Sequence, residues 1–337
     1  MKKAVRVVLS ALVFLLLLLV AAISLTIGWR PFIGPRARPL TSRTFEATPQ
    51  RLARGRYLFT AVSGCDGCHS PRDWTAPGTP VLPNGSGAGQ VMWFSSLPGR
   101  IVAANITPDR ETGAGTWTDD QLARAIREGI GHDGRALFPM MPYQNFRHMS
   151  DEDLASLIVY MRTLPPAHHE LPPTNIIFPV KYLIRAVPGP VTEAVSSPDP
   201  SDRLKWGKYL VTMANCGECH TAMVRGNAIP GLEYGGGFLL DGAWGVVASA
   251  NITPDASGIS YYDEALFLQV MRTGYVKARK LAPIMPVAEF KDLTDDDLKA
   301  MFAYLQTLKP VKHRVDNTLP PTYCKLCRHK HGGGDQN

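Results

Sequence analysis

A tandem repeat is the feature that most constrains how this chain of 337 residues folds. The same motifs occur twice in the same order, while the offset between paired motifs drifts only from 152 to 144 residues. Repeats of ~20–50 residues are typical of solenoids, whereas a unit of this length is the size of a whole domain. The sequence therefore predicts two homologous domains. The paired motifs are residues 51–58 and 203–210, 65–69 and 216–220, 104–109 and 250–255, 141–142 and 285–286, and 150–154 and 294–298.

Helix signals recur in both copies. Thr118 and Gln121 form a capping-box pattern for a helix that ends near Gly129. After Ser150, and again after Thr294, apolar residues follow at the i, i+3, i+4, i+7 spacing of a helix with one buried face. The middle of each copy is rich in Gly and Pro and shows no strong strand alternation. These patterns predict an all-α fold.

Another helix is predicted at the start of each copy, running from about Arg51 into the cysteine motif in the first one. Gly55 and Gly207 lie on these helices, where the missing side chain would let a second helix approach closely. Because the Gly- and Pro-rich middle of each copy buries little by itself, we expect a large apolar group to fill the centre of each domain.

The paired cysteine motifs, residues 65–69 and 216–220, both read Cys-x-x-Cys-His, which is the attachment sequence of c-type haem. Two thiols three positions apart on one helical turn can each add to a haem vinyl group, and the next residue then places an imidazole under the iron. A single match could equally be a zinc half-site or a redox dithiol, but two matches at equivalent places favour haem. The predicted cofactor is two covalently bound haem c groups, held by Cys65, Cys68, His69, Cys216, Cys219 and His220.

Iron that is held by one histidine needs a sixth ligand or keeps an open position. The repeat nominates Met141 and Met285, each directly before a proline and ahead of the last helix of its copy. Met140 competes with Met141, but only Met141 has a counterpart in the second copy. A loop methionine more often fills a gap in the core, so the repetition of the Met-Pro pair carries this prediction. Thioether ligation raises the reduction potential, which suits electron transfer.

The N-terminus is predicted to cross a membrane. Residues 7–29 contain no charged side chain, and 23 residues at ~1.5 Å each span the ~30 Å hydrocarbon core. Lys2, Lys3 and Arg6 precede this segment, as is typical of a cytoplasmic end, but Arg30, Arg36 and Arg38 follow it. The predicted orientation therefore depends on haem chemistry, because haem is attached on the outer side of the membrane. A cleaved signal peptide is the alternative, although its apolar core normally runs only ~7–15 residues. In either case the rest of the chain is exported.

The repeat, the apolar segment and a Pro-rich stretch divide the chain. Residues 171–201 carry seven prolines and few charges, which is typical of a linker. We expect two tandem class I-like cytochrome c domains after an N-terminal transmembrane helix. The predicted divisions are an anchor at 7–29, a linker at 30–48, domain 1 at 49–170, a linker at 171–200, domain 2 at 201–312 and a C-terminal tail at 313–337.

The C-terminal tail contains a third cysteine pair, Cys324 and Cys327, followed by Arg328 where haem attachment requires histidine. An exported CxxC disulfide is the simplest interpretation. The two cysteines could instead bind zinc or copper together with His329 and His331. A third, irregular haem is the remaining alternative.

Several other residues carry weaker signals. Arg127 and Arg272 could pair with haem propionates or could simply end their helices in solvent. Asn105 and Asn251 could donate hydrogen bonds to the haem edge or could stabilise a turn. The remaining histidines find no counterpart across the repeat and are expected to be solvated surface or loop residues. They are His132, His148, His168, His169 and His313.

The pattern of CxxCH, Asn-Ile-Thr-Pro-Asp, Met-Pro and Ser-Asp-Glu-Asp-Leu resembles a known family. It is similar to the bacterial membrane-bound cytochrome c subunits that accompany alcohol, gluconate and related periplasmic dehydrogenases, over nearly all of residues 49–312. The resemblance implies electron transfer from a quinone- or flavin-containing dehydrogenase to ubiquinone or another acceptor. Those subunits usually carry three haem domains and a C-terminal anchor, whereas this sequence predicts two haem domains and an N-terminal anchor.

We therefore expect an electron-transfer protein of a periplasmic respiratory chain, and not an enzyme. Its donor would be a periplasmic dehydrogenase or another redox protein, and its acceptor a quinone, a cytochrome or a terminal oxidase. It would be a single-pass protein of the bacterial inner membrane, with a cytoplasmic N-terminus and periplasmic haem domains. A net charge of +7, with no run of Lys or Arg, does not argue for nucleic acid. The alternatives are a dihaem peroxidase or another small-molecule redox enzyme with one open haem, and a redox sensor that uses the CxxC tail as a switch.

Overall fold

The computed structural model describes residues 2–76 and 78–337. An N-terminal helix, α1 (Lys2–Thr26), has none of its residues buried. Its most apolar window has a mean hydropathy of 3.0, so it is long and apolar enough to cross a membrane. It includes the basic residues that precede the predicted segment and ends before Gly28, which has a positive φ of 68°. A short helix, α2 (Arg30–Ile33), follows.

Residues 49–170, here called repeat 1, contain the helices predicted after Thr118 and after Ser150. The Thr118–Gln121 capping box is present, and the helix it starts ends at Gly129 in the left-handed conformation. The hydroxyl of Ser150 accepts a hydrogen bond from the third residue of the last helix. The helices of repeat 1 are α3 (Pro49–Tyr57), α4 (Cys65–His69), α5 (Asp119–Glu128), α6 (Tyr143–Phe146) and α7 (Asp151–Met161).

The prediction of one helix running from Arg51 into the cysteine motif is corrected in repeat 1. The α3 helix continues as a single π-helical turn, Leu58–Val62, and this turn ends at Ser63, before the cysteines. The motif then forms a separate short helix, because Gly64 adopts a left-handed φ of 55° that no helix interior allows.

Residues 201–312, here called repeat 2, follow the same plan. Asp202 caps the first helix, and Thr294 caps the last one as predicted. Between the repeats lies a short helix, α8 (Val180–Leu183), followed by a 3-10 turn at Ile184–Ala186 that contacts α2. The helices of repeat 2 are α9 (Arg203–Met213), α10 (Cys216–His220), α11 (Glu264–Thr273), α12 (Val287–Phe290) and α13 (Asp295–Leu305).

The fold is mostly helical, but it also contains short sheets that the all-α expectation did not include. Within the described residues there are six two-stranded sheets, all antiparallel, and most of them lie in the Gly- and Pro-rich segments. None of the paired strands exceeds four residues, so none shows a period-2 pattern in the sequence. The pairs are Gln90–Val91 with Val102–Ala103, Gly99–Arg100 with Asn175–Ile176, Met223–Val224 with Asn227–Ala228, Leu239–Gly242 with Gly245–Ala248, Tyr275–Val276 with Arg279–Lys280, and Pro321–Tyr323 with Lys330–Gly332.

The first and last helices of each repeat cross at the predicted glycines. A Cβ added to Gly55 would lie 1.9 Å from the backbone oxygen of Ser156 on α7. A Cβ added to Gly207 would lie 1.9 Å from the backbone oxygen of Ala300 on α13. No side chain fits at such a separation, so both crossings require glycine.

The two repeats pack against each other through reciprocal hydrogen bonds. The Tyr57 hydroxyl of α3 donates to Asp297 of repeat 2 over 2.6 Å, and the equivalent Tyr209 donates to Asp153 of repeat 1 over 2.7 Å. Each tyrosine oxygen also accepts the backbone N–H of the residue that caps the partner's last helix. Equivalent residues therefore make the same hydrogen bonds from repeat 1 to repeat 2 and from repeat 2 to repeat 1, as in a pseudo-twofold interface. The buried apolar residues of the two repeats form one continuous cluster.

Candidate functional site

Both cysteine motifs form one helical turn entered through a left-handed residue, which is Gly64 in repeat 1 and Asn215 in repeat 2. All four thiols of the two motifs are unbonded. The second cysteine of each motif, Cys68 or Cys219, is exposed on its turn. The first cysteine of each motif, Cys65 or Cys216, packs against the hydrophobic core.

The motif histidines are oriented in the same way in both repeats. His69 Nδ1 lies 2.8 Å from the backbone oxygen of Ala104, and His220 Nδ1 lies 2.7 Å from that of Ala250. Donation from Nδ1 to a carbonyl leaves Nε2 as the free lone pair of each ring. Burial also lowers the pKa of both imidazoles, which favours the neutral form that binds a metal. The donor set therefore fits an axially ligated haem iron.

The carbonyls that hold these histidines are positioned by the repeated Asn-Ile-Thr-Pro-Asp turn. The side-chain oxygen of Asn105 accepts hydrogen bonds from the backbone N–H and the hydroxyl of Thr107, and its amide donates to Ala167 over 2.7 Å. Asn251 makes the same bonds, with its amide donating to Val311 over 2.7 Å. The turn interpretation of these asparagines is therefore the one that fits, because their amide groups have protein acceptors.

The candidate methionine ligands lie on equivalent turns. The backbone N–H of Met141 donates to Phe138 over 3.1 Å, and that of Met285 donates to Ala282 over 3.0 Å. Each methionine is partly buried against the core, and its following proline begins the short helix α6 or α12. The matched backbone conformation supports one shared role for both residues, and ligation of iron stays a prediction.

The two motif turns lie close together across the interface between the repeats. On the first turn, a Cβ added to Gly64 or Gly67 would lie 3.5 or 3.8 Å from the side chain of Glu289 in repeat 2. Arg72, which follows the first motif, forms a buried ion pair with Glu289 on α12 of repeat 2. Asn145 occupies the position of Glu289 in repeat 1, and it donates to Glu218 within the second motif over 3.1 Å. Both candidate sites thus border the same interface.

The two arginines proposed as propionate partners each pair with a carboxylate of the protein. Arg127 pairs with Asp151 over 2.6 Å, and Arg272 pairs with Asp295 over 2.6 Å, in both cases at the first residue of the last helix. The pair with Asp295 is consistent with the helix-end interpretation for Arg272. Arg127 keeps its Nε and Nη2 atoms buried without a hydrogen-bond partner, so pairing with a propionate stays a prediction for this residue.

The prediction that His313 is a solvated residue without a counterpart is wrong. His313 is fully buried, and it matches His169 at an offset of 144 residues. Its Nδ1 lies 2.8 Å from the backbone oxygen of Gly235, as His169 Nδ1 lies 2.9 Å from that of Ala88. The sequence contained a signal for this pair, because the last two repeated motifs are also separated by 144 residues.

The cysteine pair of the tail lies beside this histidine. Cys324 and Cys327 are buried and unbonded, and the side chains of His313 and His331 meet them. His329, predicted as a possible ligand, lies apart from this group, because its Nε2 is 2.8 Å from the backbone oxygen of Met223. The structure thus supports a metal-ligating arrangement with His313 in place of His329.

The comparisons with known proteins decide the family. The sequence model of the cytochrome c family matches residues 52–165 within repeat 1 and again residues 204–309 within repeat 2. The chain belongs to the cytochrome c family. Membership in the cytochrome c family supports covalently bound haem c as the cofactor of both repeats.

Relatives extend this match over most of the chain. The fructose dehydrogenase cytochrome subunit of Gluconobacter japonicus is 32% identical over 84% of this chain and 58% of its own length. A nicotinate dehydrogenase subunit of Pseudomonas putida is 30% identical over 83% of this chain but only 23% of its own length. A dihaem cytochrome c-type protein of Cereibacter sphaeroides is 28% identical over 82% of this chain and 92% of its own length. The chain is therefore similar to a cytochrome subunit of a dehydrogenase and to a dihaem cytochrome c, and it spans only part of the length of the first two relatives.

Proposed function

We propose that this cytochrome c is a dihaem electron carrier with His/Met axial ligation in both repeats. Haem c bound at each site would supply the reversible one-electron chemistry of iron. In each repeat the two motif cysteines would form the thioether bonds, and the motif histidine and the Met-Pro methionine would be the axial ligands. The residues are Cys65, Cys68, His69 and Met141 in repeat 1, and Cys216, Cys219, His220 and Met285 in repeat 2.

The observation that carries this proposal is the matched support of the two histidines. Bonds of 2.8 Å and 2.7 Å from Nδ1 to a backbone carbonyl fix each ring and leave its Nε2 available. A carbonyl acceptor fixes the tautomer and raises the basicity of Nε2, as for histidines that bind metals. Neither repeat differs from the other at this point, so we assign the same ligation to both.

The reciprocal interface supports transfer between the two sites. Asn145 of repeat 1 donates to Asn215 and Glu218 at the second motif, and Glu289 of repeat 2 lies against the first motif, so both attachment motifs border the interface. The Tyr57 and Tyr209 hydrogen bonds fix the orientation of one repeat on the other from both sides. A rigid pair of neighbouring sites suits a carrier that receives an electron at one end and delivers it at the other.

For the partners, we propose a periplasmic dehydrogenase as the donor and a quinone, another cytochrome or a terminal oxidase as the acceptor. Relatives whose names are cytochrome subunits of fructose, alcohol and gluconate dehydrogenases support the donor. The helix α1 would anchor the chain in the bacterial inner membrane, with a cytoplasmic N-terminus and periplasmic haem domains. The attachment of haem on the outer side of that membrane supports this orientation, since the basic residues at the start of α1 are matched by Arg30, Arg36 and Arg38 after it.

The test is the ferric optical spectrum of the purified protein, with the far-red methionine-to-iron band quantified per haem. We expect both haems to contribute, and we expect Met141→Ala and Met285→Ala each to remove about half of the band. Met140→Ala is the matched control, because it changes a neighbouring methionine that has no counterpart in repeat 2, and the band should stay intact.

A band that survives Met141→Ala but is lost in Met140→Ala would overturn the assignment in repeat 1. Absence of the band from the unmodified protein, together with turnover of peroxide, would replace the carrier by a peroxidase with an open haem.

A further inference from the structure

Four buried side chains converge where the C-terminal tail folds back on repeat 2. His313 follows the last helix of the repeat, and Cys324 and Cys327 belong to the hairpin turn between the strands Pro321–Tyr323 and Lys330–Gly332. His331 lies on the second strand. One ligand atom from each residue lies within 4.8 Å of all the others, and none of the four residues is more than 3% exposed. A tetrahedral zinc site with bonds of ~2.0–2.3 Å has ligands separated by such distances.

The two imidazoles present the same nitrogen to the cluster. His313 Nδ1 lies 2.8 Å from the backbone oxygen of Gly235, and its Nε2 is 3.4 Å from the sulfur of Cys324. His331 Nδ1 lies 3.0 Å from the backbone oxygen of Gly332, and its Nε2 is buried without any hydrogen-bond partner. With Nδ1 bonded to a carbonyl, Nε2 is the free nitrogen of each ring, and a buried nitrogen without a partner in a group with two thiols is typical of a metal ligand.

The backbone supports the thiols as it does in zinc-binding turns. The N–H of Cys327 lies 3.5 Å from the sulfur of Cys324 and points at it, which stabilises a thiolate. Arg328 donates its N–H to the Cys324 oxygen over 2.9 Å and adopts a φ of 62°, which closes the turn. Gly237 faces the cluster, and a Cβ there would lie 2.6 Å from the ring of His313 and 3.2 Å from Cys327. Any larger residue at Gly237 would intrude on the ligands.

We propose that His313, Cys324, Cys327 and His331 bind one structural zinc ion. Binding would replace the two thiol protons, and two thiolates with two neutral imidazoles neutralise the charge of the dication. A Cys324–Cys327 disulfide would use both sulfurs and leave the Nε2 of His331 buried without a partner, which is unfavourable. Four protein ligands fill the coordination sphere, so the site is structural and not catalytic.

The zinc ion would hold the tail against residues 248–250, and the carbonyl of Ala250 in this segment orients His220. Asn317, between the ligands, accepts the N–H of Ala248 over 2.9 Å and donates to the Ala248 oxygen over 2.8 Å. Ala248 precedes by two residues the Ala250 carbonyl that accepts from His220. His169 is the equivalent of His313 in repeat 1, and it belongs to no such Cys/His group among residues 2–76 and 78–337.

The first experiment measures zinc, copper and iron per chain in the full-length protein, purified without chelator. We expect about one zinc ion per chain in addition to the haem iron. Cys327→Ser and His331→Gln should each reduce bound zinc to about one tenth or less, with iron unchanged. His329→Gln is the matched control, because the ring of this neighbouring histidine is bonded to the Met223 carbonyl and lies outside the group of four ligands, and the zinc content of this variant should equal that of the unmodified protein.

A thiol count separates the proposal from the alternatives. After denaturation with chelator and without reductant, about two thiols should react, because thioether formation would leave only Cys324 and Cys327 free. No reactive thiol, or no zinc even after dialysis against equimolar zinc, would overturn the site, as would copper in its place or loss of zinc in His329→Gln alone. More than two reactive thiols would instead contradict covalent haem, and the zinc measurement would stand independently.

Discussion

The two repeats agree in the parts that seat the candidate cofactor and differ in the parts that surround it. Both have a glycine at the helix crossing and a tyrosine that reaches the other repeat. Both hold the motif histidine with a carbonyl and fix that carbonyl with an asparagine turn. These duplicated contacts define where a haem and its ligands would lie.

The surroundings are not duplicated. In repeat 1, Arg38 from the segment between α2 and α3 forms ion pairs with Asp120 and Glu128 on the helix α5. In repeat 2, Ala265 occupies the position equivalent to Asp120. In repeat 1 the strand Asn175–Ile176 of the linker pairs with Gly99–Arg100, whereas in repeat 2 the tail with its Cys/His cluster packs beside Gly235 and Ala248. Charges near an iron shift its potential, so two sites with the same ligands and different surroundings should differ in potential.

The interface itself gives the largest expected difference between equivalent positions. Glu289 is buried against Arg72, whereas its counterpart Asn145 makes only hydrogen bonds. Arg72→Ala would leave the carboxylate buried and unpaired, so we expect the free energy of unfolding to fall by about 3–5 kcal/mol. Asn145→Ala should lower it by about 1 kcal/mol. Denaturant unfolding of both variants measures the contrast, and equal losses would show that the ion pair adds nothing to the interface.

The glycine crossings test the symmetric side of the comparison. Gly55→Ala and Gly207→Ala should each lower the free energy of unfolding by about 3 kcal/mol, because the new Cβ would lie 1.9 Å from a backbone oxygen of the partner helix. Gly55 should be slightly worse, because its Cβ would also lie 2.7 Å from the Tyr160 Cβ, whereas the matching distance to Tyr304 is 3.1 Å.

Gly189→Ala is the control for both crossings, since a Cβ at this position of the linker meets nothing within 4 Å. We expect it to leave thermal unfolding unchanged within error. Tolerance of alanine at only one of the two crossings would break the symmetry inferred for the helix pairs.

The sequence was sufficient for the features that depend on local pattern or on the repeat. The capping box at Thr118, the cap at Ser150 and the crossings at both glycines could be predicted, because each rests on neighbouring residues or on a matched motif. The short sheets could not, because strands of two to four residues carry no period. The reciprocal Tyr57 and Tyr209 bonds were also missed, since nothing in one repeat specifies which face meets the other.

The candidate sites also contain some features that the sequence predicts and others that depend on long-range folding. The motif cysteines and histidines follow from the CxxCH pattern, but the carbonyl partners of the histidines depend on how the chain returns 30 to 35 residues later. His313 was missed because its partners Cys324 and Cys327 come together with it only after the tail folds back over repeat 2. Spacing along the chain had favoured His329, which is adjacent in sequence but points elsewhere.

The smallest expected difference between the repeats is in their response to acid. Burial raises the pKa of Asp120, but hydrogen bonds from Arg38 and Thr41 outweigh it and lower the pKa to about 2. Because the folded pKa lies below the unfolded value of 3.8, this carboxylate stabilises the fold above about pH 4, and that contribution is lost as the pH falls towards 2. We expect Asp120→Asn to cost about 2 kcal/mol at pH 7 and almost nothing at pH 2.

The measurement is the free energy of unfolding of Asp120→Asn and of the unmodified protein at several pH values between 7 and 2. The two values should become equal as the pH falls. Glu264→Gln is the control in repeat 2. Glu264 is the first residue of α11, the helix equivalent to α5, and both side chains of its ion pair with Arg203 are exposed. Such pairs contribute less than about 1 kcal/mol, so its stability should follow that of the unmodified protein at every pH. A constant difference between Asp120→Asn and the unmodified protein down to pH 2 would mean that the substitution acts through packing. The charge that distinguishes repeat 1 from repeat 2 at this position would then play no part in its stability.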